Sequence, residues 1–194
     1  MTNVDALAPP PDVRLLGLTG SPGAGKSTLA RRVAAQWGAA VVPLDGFHYA
    51  DVELERRGLR RRKGAPDTFD AEGLAALLRR IRDGEPDVVA PMFERDLEQP
   101  LAGAIPVPAA GLVIVEGNYL LLEETRWRKV REQLDAVWHL RLDDAVRMQR
   151  LIERHVEFGK ARDEAEAWVA AVDVPNAERI EAAAHRADRV ITLV

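Results

Sequence analysis

The sequence contains no cysteine. That excludes disulfide staples, thiolate nucleophiles and zinc–thiolate sites, and it agrees with a reducing compartment. No apolar run approaches the ~20 residues needed to cross a bilayer. The opening stretch MTNVDALAPPPDV lacks the basic region followed by an apolar one that marks a secretory signal. Internal repeats and low-complexity tracts are missing as well. So is any excess of positive charge: 27 Lys and Arg stand against 31 Asp and Glu, a net charge of −4. A nucleic-acid-binding domain is usually basic. These absences lead us to expect a cytoplasmic protein without a membrane segment or a nucleic-acid partner. What is present, 47% hydrophobic and 30% charged residues over 194 positions, suits one domain or a domain with a small lid.

Short apolar runs alternate with helical patterns along the chain. Residues 1–12 are small, polar and Pro-rich, and read as a loose tail. VRLLGLT (13–19) reads as a buried strand ending at Gly20. KSTLARRVAAQW (26–37) is helical, with Leu29, Val33 and Trp37 recurring at a spacing of four. AAVVPL (39–44) is a second strand, with Pro43 at its end. Residues 51–69 are charged and irregular. DAEGLAALLRRIR (70–82) is a helix with Asp70 as its N-cap. DVVAPMF (87–93) is a third strand, followed by a Pro- and Gly-rich loop. LVIVEG (112–117) has the unbroken apolar character of a central parallel strand. AVWHLRL (136–142) is another strand, two or three helices fill 143–187, and RVITLV (189–194) closes the chain. Strands alternating with helices predict an α/β fold with a mostly parallel sheet.

GSPGAGKST (20–28) matches G-x-x-x-x-G-K-[ST], and it sits between a predicted strand and a predicted helix, the context the motif needs. The residue types follow from phosphate chemistry. Glycines let backbone N–H groups approach phosphate oxygens without a Cβ in the way. The helix N-terminus adds partial positive charge. Lys26 reaches the β and γ phosphates and Ser27 can ligate Mg²⁺. The whole cradle, Gly20, Ser21, Pro22, Gly23, Ala24, Gly25, Lys26, Ser27 and Thr28, is thus a nucleoside-triphosphate site.

Two acids follow strands into the same crevice, because ligands of such sheets sit beyond the carboxyl ends of the strands. Asp45 leaves the second strand in PLDGFHYAD (43–51). Either it accepts a proton from a substrate hydroxyl or helps hold the metal, or it caps a turn. Gly46 permits a tight exit, and Phe47, His48 and Tyr49 either wall a small-molecule pocket or simply pack. Glu116 ends VIVEG, where an acid holds Mg²⁺ through water, or else forms a cap or ion pair.

GSPGAGKST, LDGFHYAD, RRKGAPDTFD, PMFERDLEQP and VIVEGNYLLL, in that order, resemble the uridine kinase, phosphoribulokinase and bacterial pantothenate kinase superfamily. Within it they are most similar to bacterial fructose transport system kinase-like proteins. The resemblance runs from about residue 13 to the end. It implies a P-loop three-layer sandwich with a five-stranded, mostly parallel sheet, in which 13–194 form one kinase domain. The implied activity is ATP- and Mg²⁺-dependent phosphoryl transfer to a small-molecule hydroxyl, with Asp45 as the catalytic aspartate. It places Arg62, Lys63 and Asp67 near the acceptor. Phe93 and Arg95, from PMFERDLEQP, and Asn118, from VIVEGNYLLL, belong to the same acceptor pocket. Phe93 stands where relatives carry tyrosine, and Glu94 where they carry aspartate. Uridine, pantothenate, a sugar and a sugar phosphate all occur as acceptors among relatives, and a homodimer is compatible with them.

RMQRLIERHVEFGK (147–160) is a basic helix with Arg147, Arg150 and Arg154 on one face. In kinases of this kind a lid, here about 143–175, brings arginines onto the transferring phosphates. Otherwise this is a solvated face paired with Glu153 and Glu157. In VDVPNAERI (172–180) Asn176 either approaches the nucleotide base or caps a helix. The basic run ERRGLRRRKG (55–64) is a flap that attracts an acceptor or a solvated loop. A rival to the kinase reading is an ATP-hydrolysing conformational switch that acts on a protein partner.

Overall fold

The computed structural model describes residues 7–193. Five strands form one parallel sheet in the order β2-β5-β1-β6-β7: β1 Leu15–Gly20, β2 Ala40–Pro43, β5 Val113–Glu116, β6 Ala136–Arg141 and β7 Arg189–Thr192. Successive strand residues point to opposite faces, and the core divides accordingly. Val113 and Val115 join Leu15, Leu74, Leu78 and Trp127 on one face, under α3 (Ala71–Arg82) and α4 (Thr125–Arg131). Ile114 joins Leu16, Leu18, Ala30 and Val33 on the other, under α1 (Lys26–Trp37). This is the expected three-layer α/β sandwich. Strand β1 lies at its centre, where the strand order reverses, so the turn after Gly20 opens into the crevice of a parallel sheet.

Helix α1 has the predicted bounds and is stopped by Gly38, whose N–H donates to the carbonyl of Ala34. Leu29 and Val33 are buried, but Trp37 is 44% exposed. At about 100° per residue, a spacing of four drifts about 80° in two steps, which turns Trp37 off the buried stripe. Asp70 caps α3 as expected, accepting from the Gly73 N–H at 2.9 Å.

Two expectations needed correction. The third strand, β3 (Val88–Glu94), lies outside the parallel sheet and pairs antiparallel with β4 (Gln99–Val107). The segment read as a Pro- and Gly-rich loop is therefore a strand. Its prolines, Pro100 and Pro106, are tolerated because a two-stranded ribbon consists of edges. The irregular stretch 51–69 contains a short helix, α2 (Asp51–Arg56), and two tight helical turns, Arg60–Arg62 and Pro66–Thr68. Of the anticipated tail, residues 1–6 lie outside the described residues, and Leu7 is buried against the α1 face of the core. Val194, the predicted end of the last strand, also lies outside them.

Three helices follow β6: α5 (Asp144–Glu157), α6 (Arg162–Trp168) and α7 (Val174–Ala182). A single wide turn, Val169–Asp173, joins α6 to α7, and in it the Val174 N–H donates to Val169, five residues back. Pro175 accounts for it. Proline has no N–H for the carbonyl of Ala171 and its ring crowds that carbonyl, so the helix widens by one residue. No helix among the described residues is long and apolar enough to cross a membrane.

Candidate active site

The phosphate loop is a rigid cup. Gly23 and Gly25 adopt φ of 81° and 92°, a region other residues avoid. A Cβ on Gly23 would also stand 2.9 Å from the Arg147 carbonyl. Ser21 and Ala24 are buried beneath the cup. Ser21 Oγ donates to Glu181 Oε1 at 3.0 Å, and the same carboxylate oxygen lies 3.0 Å from Nε2 of the fully buried His139. The Lys26 ammonium donates to the Ser21 carbonyl at 3.1 Å. Burial lowers its pKa to about 8, against the opposing pull of Glu116 and Asp45. A lysine kept out of water and weakly paired suits a ligand that brings its own negative charge.

Beside the lysine, Ser27 Oγ donates to Glu116 Oε1 at 3.1 Å. Burial, then the neighbouring Asp45 charge, pushes the Glu116 carboxyl above its usual range. The Ser27 hydroxyl and Glu116 are the groups that could hold a magnesium ion accompanying a triphosphate. Magnesium typically takes one or two protein ligands and completes its shell with phosphate oxygens and water, and these residues fit that habit. Asp45 sits in the helical turn Leu44–Phe47 just after β2. Its Oδ2 is 3.9 Å from an Arg95 nitrogen. Gly46 has to be glycine, because a Cβ there would lie 2.4 Å from the Pro91 carbonyl of β3.

Two concavities meet at this loop. A groove of about 690 Å³ is lined by Gly23, Gly25, Lys26, Ser27, Thr28, Arg31, Arg32, Leu142, Arg150 and Phe158. A smaller cleft of about 200 Å³ is lined by Pro22, Lys26, Ser27, Asp45, His48, Lys63, Glu116, Asn118 and Asn176. Arg95, on the tip of the β3–β4 hairpin, and Arg154, on α5, line both. His48 is held by tilted ring contacts with Phe69 and Phe93, with centroids 3.9 and 4.9 Å away. Its Nδ1–H donates to the Asp45 carbonyl at 2.8 Å, which leaves Nε2 as an acceptor. Burial lowers its pKa, so the ring is neutral at neutral pH.

Several predicted residues lie elsewhere. Phe47 is buried in the core. Tyr49 turns outward, under the Arg57 guanidinium at 4.1 Å. Arg62 and Asp67 pair at 2.9 Å and line a separate hollow with Glu124 and Arg179. Phe93 backs His48 instead of facing the cleft. Arg147, on the same helical face as Arg150 by spacing, is buried against the loop. It donates to the Pro22 carbonyl at 3.3 Å and pairs with Asp144 at 3.0 Å, so it braces the cup from behind. Asn176 lines the small cleft rather than the larger groove. The basic run is answered locally: Arg56 and Arg57 pair with Glu53, and Arg60 and Lys63 with Asp51.

The cleft also contains residues that sequence patterning missed: Phe69, Tyr119, Trp168 and Asp173. Asp173 lies in VDVPNAERI, and its signal was Pro175 two residues on. Phe69 and Tyr119 lie within RRKGAPDTFD and VIVEGNYLLL, where no spacing singled them out, and Trp168 lies in no motif. They reach the cleft because Phe69 and Tyr119 pack edge to face at 5.6 Å beneath it.

Residues 16–169 match the family profile described as AAA domain. A protein of Escherichia coli named "Uncharacterized protein YggC" is 34% identical over 183 residues, 91% of this chain and 76% of that protein. One of Schizosaccharomyces pombe, named as a "putative uridine kinase", is 36% identical over 168 residues, 79% and 71% of the two chains. Bacterial pantothenate kinases match at 33% to 37% identity, with this chain spanning 34% to 44% of their length. The crystal structure of a "putative fructose transport system kinase" from a Silicibacter species superposes with a TM-score of 0.88 at 37% identity, covering 98% of this chain and all of that one.

Proposed function

The chain belongs to the P-loop family described as AAA domain, and from that premise we propose that it is an ATP-dependent kinase. It transfers the γ-phosphoryl group to an alcohol of a small molecule. One observation carries the reading: Asp45 and the phosphate-loop residues Lys26 and Ser27 line the same small cleft, which adjoins a groove of about 690 Å³. The relatives named as kinases support it. A conformational switch would need a positioned water, not an enclosed acceptor pocket.

In this reading the larger groove takes the nucleotide and the smaller cleft takes the acceptor. The cup and Lys26 bind the β and γ phosphates. Asp45 orients the acceptor hydroxyl and takes its proton as the new O–P bond forms and the bridging bond to the β phosphate breaks. Arg154 and Arg150, on α5, and Arg95 offer positive charge to the phosphoryl oxygens, and residues 143–175 act as a lid over one kinase domain, 13–194. Ser27 and Glu116 would hold magnesium, which supplies charge neutralisation on the β and γ oxygens.

The test is ADP release from Mg-ATP against nucleosides, pantothenate, sugars and their phosphates. A hit should lose at least about a hundredfold in kcat in Asp45→Ala, as expected of general-base removal, while ATP affinity holds. Equal loss of turnover and ATP binding would remove Asp45 from the catalytic role.

A further inference from the structure

The acceptor cleft holds a carboxylate that the kinase reading leaves unused. Asp173 is 9% exposed, lines the cleft, and lies on the wide turn between α6 and α7. Such turns are uncommon and concentrate at functional sites. Its carboxylate pairs with His155 on α5, whose Nε2 lies 3.1 Å from Oδ2. A carboxylate can accept about four hydrogen bonds, so most of its capacity is free for donors in the cleft.

The other charges of the cleft bear on what those donors are. Lys63 is engaged already: its ammonium donates to Asp51 Oδ1 at 2.8 Å and to the Glu98 carbonyl. Arg95 and Arg154 also face the nucleotide groove, where phosphate oxygens claim them. His48 is neutral. With Glu116 beside Ser27 at the magnesium position, what remains for the acceptor is Asp45 and Asp173, with Asn118 and Asn176. An anionic acceptor would be repelled there, whereas hydroxyl groups would be bound. The cleft, about 200 Å³, lies below the ~300 Å³ at which sites for drug-sized ligands begin. Trp168 adds an apolar face for ring C–H groups.

Resting on the kinase reading, we propose that Asp173 is a specificity-determining residue that binds an acceptor hydroxyl, and that with Asp45 it selects an uncharged, polyhydroxylated acceptor of monosaccharide size. Because His155 holds Asp173 from α5, the same contact ties the acceptor to the helix carrying Arg150 and Arg154.

The experiment compares the wild type with Asp173→Asn, which keeps the volume and a partner for His155. D-fructose, D-ribose, uridine and D-pantothenate serve as probes, in calorimetry with a non-hydrolysable ATP analogue and in ADP release. We expect a sugar to bind the wild type and Asp173→Asn to weaken it at least about tenfold, the scale of a hydrogen bond to a charged group. The ATP analogue should bind both proteins alike, which shows that the variant folds. Acceptor KM should rise while kcat holds. Sugar binding unchanged in the variant, or uridine or pantothenate binding where no sugar does, overturns the proposal, as does the absence of binding by every probe. If a sugar binds but no ADP forms, the kinase reading fails, and the binding arm alone decides the role of Asp173.

Discussion

Lys26 shows how a single side chain can carry a pH dependence. Its ammonium is buried, with a pKa of about 8 instead of 10.5, and it is the protonated form that meets a phosphate. ATP affinity should therefore weaken as pH rises through about 8. Calorimetry from pH 7 to 9.5 checks this: the wild type should show the inflection and Lys26→Ala should bind weakly without one. A wild-type profile flat to pH 9.5 would refute it. For the nucleotide-free protein the sign is opposite. Between about 8 and 10.5 the unfolded chain holds this proton and the folded one does not, so Lys26 adds stability as pH rises through that window. The cup itself was legible in the sequence, because a phosphate loop is a local motif whose geometry is set by contiguous glycines. Arg147 was not. Three arginines at helical spacing look alike on paper, and the packing of α5 on Gly23 buried one of them and left Arg150 and Arg154 facing the groove.

Among the elements, the β3–β4 hairpin and the wide turn place parts of the site that no local pattern announces. The hairpin backbone presses on Gly46, with the Pro91 carbonyl 2.4 Å from where a Cβ would sit. Gly46→Ala should therefore push apart the hairpin and the turn bearing Asp45. We expect a loss of about 1–3 kcal/mol, read as a lower Tm, together with reduced turnover; an unchanged Tm would show that the contact yields freely. The wide turn depends on Pro175. Pro175→Ala gives the Ala171 carbonyl an N–H to accept from and lets the helix tighten. The expected outcome is a higher Tm and a raised acceptor KM, because each residue of register turns Asp173 by about 100°. The hairpin was misread for a physical reason. Proline and glycine mark loops in most strands, yet a free ribbon tolerates them, since its outer N–H groups need no partner in a ladder.

For the molecule as a whole, the two concavities share Arg95 and Arg154, so nucleotide and acceptor should bind cooperatively. By linkage each should tighten the other by the same factor, about fivefold or more. Arg154→Ala should bring that factor toward one, measured by titrating acceptor with and without the ATP analogue. Independent binding in the wild type would count against a shared lid.

The sequence by itself determined the alternation of strands and helices, the phosphate cup, Asp45 after β2 and Glu116 at the end of β5, because each depends on neighbours within a few residues. Strand order, the separation of the hairpin from the parallel sheet and the membership of the cleft were decided by tertiary structure. Asp173, Trp168 and Tyr119 come within reach of Asp45 only when α6, α7 and the segment after β5 fold over the strand ends. Arg62 and Asp67, close to Lys63 in sequence, are turned away by the tight helical turns that carry them. Burial and chain reversal bring distant residues together and separate adjacent ones, and neither is encoded in local spacing.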